Sequence, residues 1–492
     1  MKISNKENRR FLLLELLEKF DKKELKGLRH FVSCRYFNTD QYVVKLLEML
    51  VNEVVGKKAM DENIRSKVYE KIFGSSMQGS KEKATFNAKM NALTRLTERF
   101  LTIEALENQE VYANDLLLSK LREKQEYALF NRHTNRFKKQ AVKEKKGSRH
   151  HEQQVKIQWQ LLKYYYTTGV FRKTDNLNEI NRQLDLYYLL QKLDLYLTAN
   201  SFQKYFKDRK YVFLNSKEIE YLCAIPKYTH HPVVATYLAT IRLNNDRNTQ
   251  NYDALFSLLE KFESQIPATL LSESTTVLTN FCADQIKRGN TDFYQQQFEL
   301  YLILEEKNLL LENNAMPVRK FKNLVATACH IGEYDWAEQI IRKYSPFVNE
   351  KDREDIRNFN LGALALYRGD YEGTKDYFSI IYNRINPIYD INLKLMVAKC
   401  DYETGLDYDR TVPSFETTEK YIQQLVSMKK EDKPPYKRFI RMLINLFRIK
   451  HRVAKKTLES VKKELETTQH ISDKKWLEEK IKELEARPPK RF

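Results

Sequence analysis

The chain has 492 residues, 42% of them hydrophobic, with 12 glycines, 11 prolines and a formal net charge of +19. Glycine and proline fall far below the ~7% and ~5% of average usage, which argues against glycine-rich sheet and phosphate-cradling folds and for an all-α chain, with length for about three domains. Five cysteines, Cys34, Cys223, Cys282, Cys329 and Cys400, stand singly, so no disulfide framework or thiolate metal site is expected and a reduced, cytoplasmic setting fits.

At the start, Lys2, Lys6, Arg9 and Arg10 precede Phe11-Leu12-Leu13-Leu14, but Glu15, Glu18 and Lys19 interrupt the apolar run. The spacing predicts an amphipathic helix rather than a signal sequence. No later run approaches the ~20 apolar residues of a membrane span. Asp21 with Glu24 forms a capping-box pattern before the next helix. Thr39 or Asp40 opens another, with Val43, Leu46, Leu47, Leu50 and Val54 on one stripe. Asp61 caps a shorter helix ending at Phe73-Gly74, and Lys81 to Glu107 is a long one. Lys89, Arg95 and Arg99 on that helix suggest a DNA-reading helix-turn-helix, although the preceding loop is long for that motif. Tyr36-Phe37-Asn38 after a leucine-rich helix is similar to an uncharacterised group of bacterial helical proteins, a likeness that implies no function.

From Gln109 to about Gln140 the pattern stays helical. Arg132, Arg136, Lys138, Lys139, Lys143, Lys145, Lys146 and Arg149 then stand against the single Glu144. His150-His151-Glu152 lacks the i, i+4 spacing that puts two metal ligands on one helix face, so no metal is expected. A helix through Trp159 and Tyr164 to Tyr166 stops near Gly169. Those tyrosines have the chemistry to stack on bases, but packing explains them more simply. Leu177 to Phe206 is apolar almost all round, as for a helix covered on more than one side.

Every proline lies from Pro226 onward. There the helices come in pairs: Val233 to Leu243 with Tyr252 to Phe262, and Thr275 to Lys287 with Phe293 to Leu304. Next, a helix ending at Cys329-His330-Ile331 meets Gly332-Glu333-Tyr334, and a helix ending at Arg368 meets Gly369-Asp370-Tyr371. Both turns recur at 37 residues, and a fainter copy sits at Gly405, followed by an insertion through Pro413 and a second helix from Phe415 to Met428. Stacked helical hairpins give this signature.

The better copies resemble the tetratricopeptide repeat. Leu361-Gly362, Gly369, Tyr371, Phe378 and Pro387 match in one, with Thr374 where a small residue is usual. Leu324, Gly332, Tyr334, Ala337 and Pro346 match in the other, with Val325 in place of a small residue. The resemblance covers about a third of the chain and implies a concave surface that binds peptides or protein segments.

From Pro434 on, Phe439, Leu443, Leu446, Phe447 and Val453 form an apolar stripe. Arg441, Arg448, Arg452 and Lys455 lie on the opposite face, within a 437–456 run of eight cations and no acid. Such charge suits a solvated cap, an acidic partner or nucleic acid. Residues 456–486 read as an exposed hairpin, and Arg487-Pro488-Pro489 as a tail.

The predicted organisation is therefore a 1–107 helical module, a 108–225 long-helix region, 226–430 hairpin repeats and a 431–492 basic cap. Phosphate-loop, dinucleotide, nucleophile-elbow and zinc-helix motifs are all missing from the sequence. The expectation is a non-enzymatic scaffold without a cofactor that binds a protein partner. A nucleic-acid-associated regulator using the two basic clusters is the alternative.

Overall fold

Scarce helix breakers are realised as helix. The computed structural model describes residues 8–54, 62–143, 145–170, 176–205, 217, 224–225, 228, 230–381, 387–405, 407–426, 428, 430, 433–454, 456–468 and 470–486. Among them are 22 α-helices and no strand. None of these helices is long and apolar enough to cross a membrane. Asp61, Cys223, Lys455 and the 487–489 tail lie outside the described residues, as does the side chain of Lys143. The chain divides into two compact units, Met1–Glu144 with His150–Leu184, and Lys145–Arg149 with Asp185–Phe492.

The first unit holds α1 (Asn8–Glu18), α2 (Lys22–Ser33), α3 (Gln41–Met49), α4 (Glu62–Phe73), α5 (Ser80–Glu107), α6 (Glu110–Glu123), α7 (Tyr127–Lys143) and most of α8 (Ser148–Thr168). Asp21 and Glu24 close a reciprocal capping box on α2, and Asp40 caps α3 by accepting from the Tyr42 N–H at 2.9 Å. Leu17, Leu28, Val32, Leu46, Leu47 and Leu93 are sealed in one core, while Leu118, Phe130, Phe137 and Ile157 make a second under α6 to α8. The stretch over 109–140, helical in pattern, forms two helices. Gln125 turns left-handed at φ 60°, and the Glu126 N–H donates back to the Leu121 carbonyl at 2.9 Å. No glycine marks this turn; the two helices fold back on each other, and their packing accepts the ~1–2 kcal/mol that a left-handed residue costs.

Helix α9 (Asn176–Tyr205) leads into the second unit. Leu186, Leu189, Leu190, Leu193 and Leu197 are buried, but Leu184, Tyr188 and Leu195 are 40%, 53% and 46% exposed. Its apolar circumference is thus covered on one side, not on several.

Hairpins then follow in order: α10 (Pro232–Asn245) with α11 (Thr249–Phe262), α12 (Ala268–Lys287) with α13 (Phe293–Glu306), α14 (Val318–Ile331) with α15 (Tyr334–Tyr344), α16 (Arg353–Tyr367) with α17 (Tyr371–Ser379), and α18 (Pro387–Thr404) with α19 (Tyr408–Gln424). Each second helix packs on the first helix of the next pair, and α14, α16 and α18 also pack side by side. The cores follow the same order, one from Leu186 to Leu300, one from Phe298 to Tyr389 and one from Ile391 to Ile481. Contacts of this kind join mainly successive hairpins. The predicted insertion before Phe415 is absent, because Pro413 lies inside α19; the Asp407 side chain caps that helix by accepting from the Asp409 and Arg410 N–H groups. The last helices are α20 (Pro434–Lys450), α21 (Leu458–Thr467) and α22 (Lys474–Glu485). Phe439, Leu443, Leu446 and Phe447 are sealed under α20, but Val453 lies beyond its end and is 55% exposed.

Two turns close identically, 37 residues apart. Gly332 and Gly369 are left-handed at φ 88° and 80°, and the next N–H reaches back to the carbonyls of Ala328 and Ala365, each at 2.9 Å. At Gly405 a Cβ would instead stand 2.3 Å from the Asp401 carbonyl, so this turn needs glycine for space. Within the α16–α17 hairpin, a Cβ on Gly362 would lie 2.3 Å from the Phe378 ring. Thr374 is fully buried between the two helices, and its hydroxyl lies 2.8 Å from the Asp370 carbonyl and 3.2 Å from that of Gly362. The hydroxyl is therefore accommodated at a position where a small residue was expected. Gly362→Ala should gain about 1 kcal/mol of helix propensity and lose about 1–3 kcal/mol to overpacking. A net drop in the urea midpoint is expected, and an unchanged or raised midpoint would show that Phe378 moves aside at little cost.

Candidate functional site

The repeat-defining residues come together as structure. Leu324 and Ala337 are fully buried, Phe378 is nearly so and Leu361 is half-buried. Tyr334 and Tyr371 each begin a second helix, Pro346 lies in the 3-10 turn Ser345–Phe347, and Pro387 begins α18. These positions hold the hairpins, and the polar chemistry lies on the helices between them.

Two residues before each turn glycine stand His330 and Tyr367, again 37 apart. The His330 Nδ1 lies 2.7 Å from the Ala326 carbonyl, which can only accept, so Nδ1 carries the proton. That leaves Nε2 as the acceptor for the Tyr367 hydroxyl at 2.9 Å. Tyr294 of α13 stacks on the imidazole with ring centres 4.1 Å apart and planes 11° from parallel. Burial pulls the imidazole below its ordinary value and pushes the Tyr367 phenol well above.

Beside this column lies Asp473, left-handed at φ 49° and immediately preceding α22. Its carboxylate meets the Lys399 ammonium of α18 at 2.9 Å. Burial alone would push this carboxyl up; Lys399, with His330 and Lys322 adding, outweighs it and holds the carboxyl below its usual range. Lys399 is only 5% exposed and passes over the Phe439 and Trp476 rings. Lys480 of α22 makes a second bond to α18, reaching Glu403 at 2.5 Å. Lys322 of α14 sits 5.8 Å above the Tyr389 ring, with no carboxylate of the described residues bonded to it. Burial, then Arg319, lowers its affinity for its proton.

Sequence reading missed this group. It placed Cys329-His330 only at the end of a helix, and the one available signal was the 37-residue spacing of His330 and Tyr367. Lys399 and Asp473 are 74 positions apart and carry no local mark. Chemically the group can hold charge and donate hydrogen bonds. Burial pushes the neighbouring Cys329 thiol up to about 12, and the Cys282 and Cys400 thiols to about 11, so none is an activated nucleophile.

The two basic clusters meet different fates. Arg441 pairs with Glu419 at 2.6 Å and Arg448 with Glu416 at 3.5 Å, both acids coming from α19. Lys437 bonds the Gln423 amide oxygen, Arg438 the His470 carbonyl, Lys450 the Tyr402 carbonyl and Lys456 the Glu464 carboxylate. Of the described cations in 437–456, Arg452 alone has no such partner; it is exposed in the left-handed turn after α20. The other cluster is divided between the units: Arg132, Arg136, Lys138, Lys139 and Lys143 belong to the first, and Lys145, Lys146 and Arg149 to the second. Among the described residues of this cluster no side chain bonds an acid. Arg132, Asn135, Arg136, Lys139 and Gln140 line a shallow depression of about 340 Å³ on α7.

Other candidates are engaged internally. Lys89 bonds Asp40 at 2.5 Å and Arg99 lies 4.9 Å over the Phe37 ring, while Arg95 is exposed. The His151 Nδ1 is 2.6 Å from the Gln183 side-chain oxygen. Tyr164 stacks on Phe130 at 5.0 Å, inside the small core. Among the described residues no group of three or more His, Cys, Asp or Glu is placed to hold a metal ion. No family model matches the chain, and neither does any curated protein or solved structure.

Two outcomes follow for the polar group. Because the buried imidazole binds its proton less readily than a free one, the unfolded chain protonates first as pH falls through about 6.5. The stability His330 supplies is present above that pH and is lost below it. His330→Phe, which keeps the ring stack, should therefore flatten the dependence of Tm on pH between 7 and 5; an unchanged slope would mean that His330 titrates as freely as in the unfolded chain. Lys399→Met, which keeps the packing on Trp476 and strands Asp473, should cost about 1–3 kcal/mol by denaturant unfolding.

Proposed function

We propose that the hairpin array is a tetratricopeptide-like binding module and that the protein is a non-enzymatic scaffold. Its partner is a segment of another protein, held along the first helices of successive hairpins. The observation that carries this reading is the pair of 37-residue hairpins with matched turn closures, which lays α14, α16 and α18 side by side. Lines of equivalent positions on such helices form a continuous surface, as repeat proteins use for binding. Lys322, His330 and Tyr367 lie on these helices, and Lys322, which bonds no carboxylate of the described residues although Asp473 feels its charge, is the cation on them that a partner carboxylate would meet. The raised thiol values at Cys282, Cys329 and Cys400 support a role in packing rather than catalysis.

Affinity capture on the full-length protein from native lysate, with nuclease added, tests this. A stoichiometric protein should be retained by the wild type and weakened at least tenfold by Lys322→Glu. Recovery of no such protein, or equal recovery on the variant, would count against the reading.

A further inference from the structure

The exposed face of α7 is a cationic ridge to which no described residue brings a counter-charge. Phe130, Thr134, Phe137 and Ala141 are buried and fix the inward side of the helix. Arg132, Arg136 and Lys139 follow at spacings of four and three, which puts them together on the side away from that stripe. All three are exposed, with the amides of Asn135 and Gln140 beside them. Helix α7 contains no acid, and no described neighbour supplies one.

A merely solvated face explains this less well, because elsewhere the protein brings acids to part of a comparable run. The 437–456 cations also lack acids in sequence, yet α19 brings Glu416 and Glu419 to Arg441 and Arg448. On α7 the repulsion among three neighbouring cations is left standing.

We propose that this ridge binds the phosphate backbone of double-stranded nucleic acid, without reading its sequence. The donors on it, guanidinium, ammonium and side-chain amide, are those that contact phosphate most often. They span about 10 Å at 1.5 Å per residue, facing a duplex that offers one charge per about 1.7 Å of axis. A single strand is the poorer fit, because a stacking platform is missing: Tyr127, Phe130 and Tyr164 pack on one another. Insertion into a lipid surface is also disfavoured, because Phe130 and Phe137 of α7 are already buried in the core and leave only Leu129 and Val142 as large apolar side chains outside it.

The test is fluorescence anisotropy of the full-length protein with a labelled duplex of about 20 base pairs. Three phosphate contacts predict a slope of about −2.7 in log affinity against log salt, a loss of about 40-fold between 50 and 200 mM. R132E/R136E/K139E should abolish binding while leaving Tm unchanged, since these side chains hold nothing in the fold. R132Q/R136Q should lower affinity at least tenfold and reduce the slope by about 1.8. R441A/R448A, which removes cations already paired, should bind within twofold of wild type, and a scrambled duplex should bind equally. The proposal is overturned by no binding at 50 mM salt, by binding indifferent to the α7 variants, or by α7-dependent binding of polyglutamate or anionic vesicles with none to the duplex. Failure here leaves the protein-binding reading of the hairpins standing, since that depends on Lys322 in the other unit.

Discussion

Burial of apolar surface between each hairpin and its successor is the constraint on which the second unit depends. A two-helix hairpin has more apolar face than it can cover by itself, and the next hairpin supplies the cover. Phe359 and Phe378 show the requirement at one junction: both are buried in the core that runs from Phe298 to Tyr389, and Tyr389 belongs to the following helix. A fully buried aromatic side chain of this size contributes about 1.5–3 kcal/mol. Loss of one junction would therefore expose faces on both sides of it. The glycine closures at 332 and 369 matter because they set the angle at which the helices meet, and only then can Gly362 let Phe378 approach.

Charge takes a second place in this hierarchy but decides what the surfaces offer. Surface ion pairs add little stability, typically ~0–1 kcal/mol, so the Arg441–Glu419 and Arg448–Glu416 contacts do not hold α20 in place. Their consequence is to set acids against two cations of a surface that is strongly cationic in sequence. The Lys399–Asp473 and Lys480–Glu403 bonds differ, since both lysines are nearly buried and tie α22 to α18 across the core. In the same protein, therefore, three kinds of lysine and arginine coexist: those that bind the last helices, those that are paired with neighbouring acids, and those on α7 and at Lys322 that bond no carboxylate of the described residues.

Helix positions were largely legible because their signals are local. The Asp21–Glu24 box, the proline-free first half and the glycine turns act over a few residues, and each reappears in place. Misses occurred where distant packing overrode the local rule. Gln125 adopts a glycine-like conformation, Pro413 is carried inside a helix, and Leu184 and Leu195 remain half exposed on a helix that reads as buried all round. The polar group was the least legible part. His330 and Tyr367 share a repeat position, but Tyr294, Lys399 and Asp473 come from three other elements that only folding gathers.

By itself the sequence determined that the chain is all-helical, that its second half is built from helical hairpins, two of whose turns recur 37 residues apart, and where its positive charge is concentrated. Each of these follows from residue type and spacing within one or two turns of helix. Tertiary structure alone decided which concentrations of charge survive. The acids that quench Arg441 and Arg448 stand 22 and 32 residues away, and nothing in the 437–456 run announces them. For α7 the converse holds, since its cations face outward opposite a sealed apolar stripe and no described residue brings them a carboxylate. Coulomb attraction acts across space rather than along the chain, so charge balance could be read only once the helices were in place.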